Sequence, residues 1–353
     1  MTTETYEKLR ERIDSFSIGF NATASGIEIK ILQKIFTENE AQMYLFLSRQ
    51  LEPIEVIASK TDKDYAEVAA ILSGMLKKGL VFPRKKGGKM YYAAAPFMHG
   101  FFENQATTIM NKELATMYDE YIKGGFFPKG MALRTIPVNI ALENRSQVLP
   151  YDDIKQIIES KERIGLFKCA CALKMQKLET GCSRPLEVCM GFDYYAEYPI
   201  EHYGIGRWIS KEEALNVLEG AEKAGLVHQT GGDSRNIECI CNCCPNCCVN
   251  LNAFKAFPSP AKLAGSNYYA EINSETCLSC ETCLDYCPMK AIVVVEDRVT
   301  INLDRCIGCG LCTRACPNEA RRLVRKTDKT RGPLSPEKYR FMRSSLDFDK
   351  DIE

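Results

Sequence analysis

Two short runs of cysteines near the end of the chain have the residue types and spacing of metal ligands. Each run reads C-x₂-C-x₂-C-x₃-C-P, and the second run repeats the first at a constant offset. Short C-x₂-C steps let consecutive thiolates wrap one [4Fe–4S] cube, which needs four ligands, so two runs can serve two cubes. Zinc sites pair two CxxC units over a longer gap, which argues against zinc here. The eight cysteines are Cys277, Cys280, Cys283, Cys287, Cys306, Cys309, Cys312 and Cys316.

These two runs resemble the bacterial-type ferredoxin domain with two [4Fe–4S] clusters. In that pattern the fourth cysteine of each run, held before a proline, binds the other cluster. The resemblance implies that one cluster is bound by Cys277, Cys280, Cys283 and Cys316. It implies that the second cluster is bound by Cys306, Cys309, Cys312 and Cys287. Short strand-like runs flank both sets, which predicts a β-α-β-β-α-β-like core.

Ten further cysteines lie upstream in two groups and indicate another metal centre. The first group has the spacing C-x-C-x₁₀-C-x₆-C, and the second lies in CICNCCPNCC, where strand alternation would put every second residue on one face. Since one cube needs four thiolates, we expect at least one further Fe–S cluster; zinc or packed thiols are the alternatives. The candidate ligands are Cys169, Cys171, Cys182, Cys189, Cys239, Cys241, Cys244 and Cys247, with Cys243 and Cys248 left over.

A middle cluster with an open iron would allow catalysis in addition to electron transfer. No catalytic residue can be assigned from the sequence, but polar residues between the two cysteine groups could line such a site. The alternative is that they are packing and surface residues, and His99, in an apolar stretch, is expected to be a core histidine. The candidates are Tyr194, Tyr195, His202, Arg207 and His228.

Composition and charge exclude several classes of protein. The 353 residues carry no net charge, so no basic field points to nucleic acid or to an anionic membrane. No apolar run approaches the roughly 20 residues of a membrane span, and the charged start lacks a signal-peptide core. Eighteen cysteines in such a chain favour metal binding over disulfides. We therefore expect a cytoplasmic protein, and clusters that suffer from oxygen suggest an anaerobic host.

The pattern of residues 36–95 predicts three helices, a strand, a Gly-Gly turn and a second strand. This order resembles a winged helix. A basic run between Lys77 and Lys89 is the argument for DNA. However, the third helix offers acids and small residues where base recognition needs Arg, Asn or Gln. Docking to protein, including a homodimer, is therefore preferred over DNA.

The predicted fold class is a multidomain α+β protein. With its IPVN segment, CxC motif and CICNCC stretch, the whole chain resembles multi-cluster 4Fe–4S proteins of anaerobes. This resemblance implies no particular activity. The predicted parts are a helical and winged-helix-like domain over 1–95, a helical linker over 96–130, a Cys-rich α+β middle domain over 131–262, a two-[4Fe–4S] ferredoxin domain over 263–326 and a charged tail over 327–353.

These features predict an iron–sulfur protein that exchanges low-potential electrons with a redox partner protein or oxidoreductase complex. The intact eight-cysteine pattern, without a Rossmann or flavin fingerprint, carries this prediction. Two alternatives stay open. One is an Fe–S enzyme or enzyme subunit whose middle cluster binds substrate, and the other is a redox-sensing, DNA-binding regulator.

Overall fold

Helices and sheets alternate along the chain, which confirms the predicted mixture of the two. The computed structural model describes residues 3–16, 18–126, 133–138, 148–232 and 236–327. The predicted tail from residue 328 onward lies outside the described residues. Among the described helices, none combines the length and apolar character needed to cross a membrane.

Cap signals in the sequence determine where the N-terminal helices begin. Thr37 and Glu40 form a reciprocal capping box, as do Asp64 and Glu67. Gly79 follows one helix with a positive φ of 74°, a conformation that glycine adopts without steric cost. The N-terminal elements are α1 (Thr3–Asp14), α2 (Ile27–Ile35), α3 (Glu38–Phe46), β1 (Glu52–Pro53), α4 (Ile54–Ala58), α5 (Tyr65–Lys77), β2 (Val81–Lys86), β3 (Lys89–Ala94), α6 (Phe102–Thr108) and α7 (Lys112–Lys123).

The three helices and the hairpin expected between residues 36 and 95 are present as α3, α4, α5, β2 and β3, with strand order β1-β3-β2. The winged-helix assignment stays a prediction. Helices α6 and α7, expected as a linker, pack into the same hydrophobic core as α1 to α5. Rings of Phe20, Phe97 and Tyr121 meet at centroid distances of 4.7 to 5.6 Å in this core. The predicted domain boundaries remain untested.

One face of the β2–β3 hairpin packs against the middle region. Tyr194 donates a 3.0 Å hydrogen bond to the carbonyl of Pro83, and Tyr203 donates one to the carbonyl of Val81. The ring of Phe82 lies 4.9 Å from that of Tyr198. The hairpin on which the DNA hypothesis rests is therefore partly covered by the protein itself.

The middle region is built on one antiparallel sheet with strand order β4-β8-β9-β6-β5-β7. Strand alternation places Ile240 in a core under α8 and α11, while Cys239 and Cys241 lie on the opposite face. Cys189 pairs with Cys241 across two neighbouring strands. The elements are β4 (Arg134–Thr135), α8 (Ile154–Ser160), β5 (Ile164–Lys168), α9 (Ala170–Lys177), β6 (Glu187–Phe192), α10 (Tyr194–Tyr203), β7 (Arg207–Ile209), α11 (Lys211–Lys223), β8 (Val227–Gly232), β9 (Ile237–Cys243), α12 (Val249–Ala256) and α13 (Pro260–Leu263).

The C-terminal unit consists of two cysteine-bearing helices between two short antiparallel strand pairs, β10 with β13 and β11 with β12. It is joined to the middle region by a buried polar network. Arg134 forms an ion pair with Asp152, and Asn267 donates a 2.8 Å hydrogen bond to the same carboxylate. The elements are β10 (Tyr268–Ile272), α14 (Thr282–Asp285), β11 (Ile292–Val295), β12 (Arg298–Ile301), α15 (Leu311–Ala315) and β13 (Arg321–Arg325).

Candidate metal centres

The eight cysteines of the C-terminal unit surround two small cavities. The structure brings together the same two sets that the sequence predicts, although their roles as ligands stay a prediction. One cavity is lined by Cys277, Cys280, Cys283 and Cys316. The other is lined by Cys287, Cys306, Cys309 and Cys312.

The two sets differ in exposure and in their hydrogen bonds. Cys280 of the first set is exposed, whereas Cys306, Cys309 and Cys312 of the second are buried. Backbone N–H groups donate to sulfur in both sets, for example from Ala291 to Cys287 at 3.1 Å and from Ala320 to Cys316 at 3.3 Å. Each donor follows its cysteine by four residues, which reflects the repeat in the sequence. These hydrogen bonds stabilise thiolates and tune the reduction potential of a bound cluster.

The charges around the two sets differ as well. Burial raises the pKa of the Cys309 thiol well above its usual value and raises that of Cys312 to about 12. For Cys277, burial also acts to raise the pKa, but the backbone N–H of Ser279 and the guanidinium of Arg321 lower it overall. Burial therefore disfavours the thiolate at Cys309 and Cys312, whereas Arg321 favours it at Cys277.

Arg321 provides a test of whether an Fe–S cluster fits the first set. Its Nη2 donates to Cys283 Sγ at 3.1 Å and its Nη1 to Cys277 Sγ at 3.6 Å. Its buried Nε has no hydrogen-bond partner among the described residues. Buried donors are normally satisfied, and the sulfide of a cluster between these cysteines is a suitable acceptor. Four thiolates and this unpartnered donor therefore fit a [4Fe–4S] cluster.

In the middle region, six cysteines line one cavity and form a closed ring in which each thiol shifts the pKa of the next; we call this group the sulfur ring. Cys239 and His99 both act on the pKa of Cys241. The Nδ1 or Nε2 atom of His99 and the sulfur atoms of Cys239 and Cys241 all lie within 4.8 Å of one another. In order, the ring members are Cys169, Cys189, Cys241, Cys243, Cys248 and Cys171.

Crowding within the sulfur ring favours a bound cation. Hydrogen bonding to Cys171 and burial raise the pKa of Cys169 well above its usual value, while the same hydrogen bond lowers that of Cys171. The Cys189–Cys241 pair shows the same opposed shifts. Without a cation only some of these thiols can ionise, because neighbouring thiolates repel in a low-dielectric site. Iron would supply the missing positive charge, since metal coordination deprotonates a thiol.

A cavity of about 170 Å³ lies beside the sulfur ring, and all six ring cysteines line it. Strands β5, β6 and β9 form one wall, and Met98, His99 and Glu103 of the N-terminal unit form another. Burial raises the pKa of Glu103 to about 7, although nearby His99 opposes this shift. The cavity can therefore hold a group at the ring, between two units of the chain.

Three further cysteines form a separate group, which we call the compact trio: Cys182, Cys244 and Cys247. The sulfur of Cys182 lies 3.4 Å from that of Cys244 and 3.7 Å from that of Cys247. None of the three lines the 170 Å³ cavity. The hydrogen bond to Cys247 lowers the pKa of Cys244 to about 4.

The structure thus divides the eight cysteines that the sequence suggested as ligands of one or two further clusters. Cys169, Cys171, Cys189, Cys239 and Cys241 lie at the sulfur ring, and Cys182, Cys244 and Cys247 form the compact trio. The two left-over residues, Cys243 and Cys248, are ring members. The reason is local: β9 carries Cys243 on the face of Cys241, and Cys248 returns to that face as the N-cap of α12.

Most polar candidates for an open site lie elsewhere. Of the five, Tyr195 lines the cavity. His228 is fully buried between Asn242 and Glu222, and Tyr194 holds the β2–β3 hairpin. Arg207 pairs with Glu213 in an exposed position, and His202 lies on α10 near Glu201 and Glu197. These four therefore have structural or surface roles.

His99 is the functional candidate that sequence reasoning missed, because it was interpreted as a core histidine. The structure places it beside Cys239 and Cys241. It is more than a hundred residues away from either cysteine in the sequence, so spacing gave no signal. A histidine preceding a glycine in an otherwise aromatic stretch was the one available sign.

A comparison with known families identifies the C-terminal unit. Residues 269–328 match the family model described as a 4Fe-4S dicluster domain. An iron–sulfur domain near the C-terminus is therefore confirmed, and with it a site for at least one [4Fe–4S] cluster. No match was found among the curated proteins or among the solved structures.

Proposed function

We propose that this iron–sulfur protein transfers electrons between a partner protein and a further cluster at the sulfur ring. The observation that carries the proposal is one shared hydrophobic core. It contains ring members Cys243 and Cys248 together with Cys306, Cys309 and Cys312 of the dicluster domain. When bound, the clusters supply reversible one-electron chemistry.

The two sets of the dicluster domain differ in their access to solvent. Cys280 is exposed, and its neighbour Leu278 is 72% exposed, so a partner can approach the first set closely. Cys306, Cys309 and Cys312 of the second set are buried, and the backbone N–H of Val138 donates a 2.9 Å hydrogen bond to the carbonyl of Cys309. This bond ties the loop of the second set to the middle region, where the sulfur ring lies. Such an arrangement suits relay between a surface partner and the sulfur ring.

Metal counting on the anaerobically purified chain tests this proposal. Two [4Fe–4S] clusters contain about eight irons, and we expect the native chain to contain more than this number. Substitution Cys241→Ser should remove the surplus iron and sulfide and leave the electron paramagnetic resonance (EPR) spectrum of the dicluster domain intact. About eight irons in the native chain, and the same number in the variant, would refute the proposal.

The 170 Å³ cavity favours one second candidate, an enzyme that binds a small substrate at the ring cluster. Apolar residues Met98, Phe167 and Ile205 surround the cysteines there, and Glu103 adds an ionisable group. Cyanide or carbon monoxide, used as probes, should then change the EPR spectrum of the middle region alone. An unchanged spectrum with both probes would favour relay without substrate binding. We do not propose DNA binding, because α5 offers acids and small residues where base recognition needs Arg, Asn or Gln.

A further inference from the structure

The compact trio has the dimensions of a site for a single metal ion. A tetrahedral ion with metal–sulfur bonds of about 2.3 Å holds its sulfur ligands about 3.8 Å apart. In the trio, Cys182 Sγ lies 3.4 and 3.7 Å from the other two sulfur atoms, and all three lie within 4.8 Å of one another. One ion at their centre would therefore contact all three with small adjustments.

The dicluster domain offers an internal standard for the other possibility. A cube places its four thiolates on separate irons, so it holds them farther apart than one ion does. Among the described residues, no three cysteines of the dicluster domain have sulfur atoms that all lie within 4.8 Å of one another. The sulfur atoms of the trio are therefore closer together than those of the cubane-type sets, as expected for a site that holds a single metal ion.

Hydrogen bonds around Cys244 support an anionic metal–thiolate group. The backbone N–H of Asn246 donates to Cys244 Sγ at 3.4 Å, inside the turn Cys244-Pro245-Asn246-Cys247. Arg184 Nη1 lies 3.7 Å from the same sulfur, and its Nε donates to the carbonyl of Ala224 at 3.0 Å, which holds the guanidinium in place. Three thiolates on a divalent ion leave one net negative charge, and the single charge of Arg184 balances it.

The trio does not line the ring cavity, although it shares a hydrophobic cluster with the ring members Cys169, Cys171 and Cys189. Cys244 and Cys247 are buried against Val188, Ala221 and Leu226, whereas Cys182 is partly exposed. Thiolates are soft ligands that select zinc and iron over magnesium or calcium. Zinc suits three closely spaced thiolates and accepts water as its fourth ligand, which can enter beside Cys182.

We propose that Cys182, Cys244 and Cys247 bind one zinc ion, separate from the iron–sulfur clusters. The ion joins the loop between α9 and β6 to the turn after β9. The pairing of β5 with β6 positions the ring members Cys169 and Cys189 without the ion, since Phe167 pairs with Cys189 and the backbone N–H of Cys169 donates a 2.9 Å hydrogen bond to the carbonyl of Leu186. Loss of the zinc should therefore leave the sulfur ring in place.

Metal analysis of the anaerobic holoprotein tests this proposal directly. The native chain should contain about one zinc, and Cys182→Ser should lower the zinc content at least tenfold with little change in iron or sulfide. Cys241→Ser is the matched control, since Cys241 is a member of the sulfur ring: iron should fall while zinc stays. Loss of iron and sulfide from Cys182→Ser, or zinc retained in it, would overturn the assignment.

X-ray absorption at the zinc edge of the native protein gives a second readout that needs no variant. It should show three sulfur neighbours at about 2.3 Å and one lighter atom. Absence of zinc from the native chain, or a shell without sulfur, would overturn the proposal even if the variants do not fold. The result is independent of the iron count, so it can fail while the proposed electron transfer stands.

Discussion

The dicluster domain and the middle region differ in how the chain brings cysteines together. In the dicluster domain each set comes from two short local runs, and the sulfur atoms stay apart around small cavities. In the middle region, a strand pair, two helix N-termini and a loop assemble the sulfur ring and the compact trio. Local spacing therefore identifies the first kind of site, while tertiary packing determines the second.

The largest expected effect tests whether Cys248 belongs to the sulfur ring. The ligand assignment made from the sequence does not include this residue, whereas the structure places it between Cys243 and Cys171. We expect Cys248→Ala to remove most iron from the middle region, measured as iron and sulfide per chain. Cys280→Ala should instead remove iron from the dicluster domain alone. An unchanged iron content in Cys248→Ala would mean that Cys248 is not a ligand of a cluster at the ring.

A second prediction concerns the support that both regions share. Asp152 is fully buried and pairs with Arg134, so Asp152→Asn leaves a buried guanidinium without its counter-charge. Breaking such a pair should reduce stability by about 3 kcal/mol. The thermal unfolding midpoint of the anaerobic holoprotein should fall, and clusters in both regions should become more labile.

Asp153→Asn is the matched control for this substitution. Asp153 caps α8 through its side chain, and asparagine caps helices about equally well. An equal loss of stability in both variants would show that the buried ion pair contributes no more to stability than the neighbouring carboxylate of Asp153. If the clusters became labile in only one region, the ion pair would not be a support that both regions share.

A smaller effect should separate the two halves of the dicluster domain. Arg321→Leu removes a cation that donates to Cys277 and Cys283, so the reduced, more negative state of that cluster loses stabilisation. Its reduction potential should fall by about 60 mV, a tenfold change for one electron. Redox titration followed by EPR measures this shift. The exposed neighbour Arg322, substituted by Leu, should leave both potentials unchanged.

The smallest predicted change is at His99. His99→Ala removes a nitrogen ligand or hydrogen-bond donor beside Cys241, but the ring keeps its sulfur atoms. We expect the iron to remain and the EPR signal of the middle region to shift, with the dicluster signals constant. His202→Ala, on α10 away from the ring, should change neither. A shift in the dicluster signals alone would contradict the position assigned to His99.

Sequence reasoning was most successful where structure depends on near neighbours. The Gly-Gly turn between β2 and β3 and the alternation of Cys239 and Cys241 each predicted what the structure shows. The sequence RTIPVNIAL, from residue 134 to 142, also has a pattern that predicts a strand. It is a strand only at Arg134–Thr135, because the next described residues bond to separate partners, the carbonyls of His228 and Cys309. Residues 139–142 of that stretch lie outside the described residues.

Contacts between distant segments were beyond such reasoning. Nothing in the spacing of CICNCCPNCC shows that Cys243 turns toward Cys248 and that Cys244 turns toward Cys182. Likewise, the approach of His99 to β9 depends on how the N-terminal unit packs on the middle sheet. These features follow from the summed packing of α6, α9 and α10 rather than from any local pattern.

The wall that the N-terminal unit contributes to the ring cavity has a consequence for biosynthesis. Chains are made from the N-terminus, and domains tend to fold in that order. Met98, His99 and Glu103 can therefore be in place before Cys169, the first ring cysteine, leaves the ribosome. The sulfur ring would then form against a finished surface, with Cys248 as the last of its members to leave the ribosome.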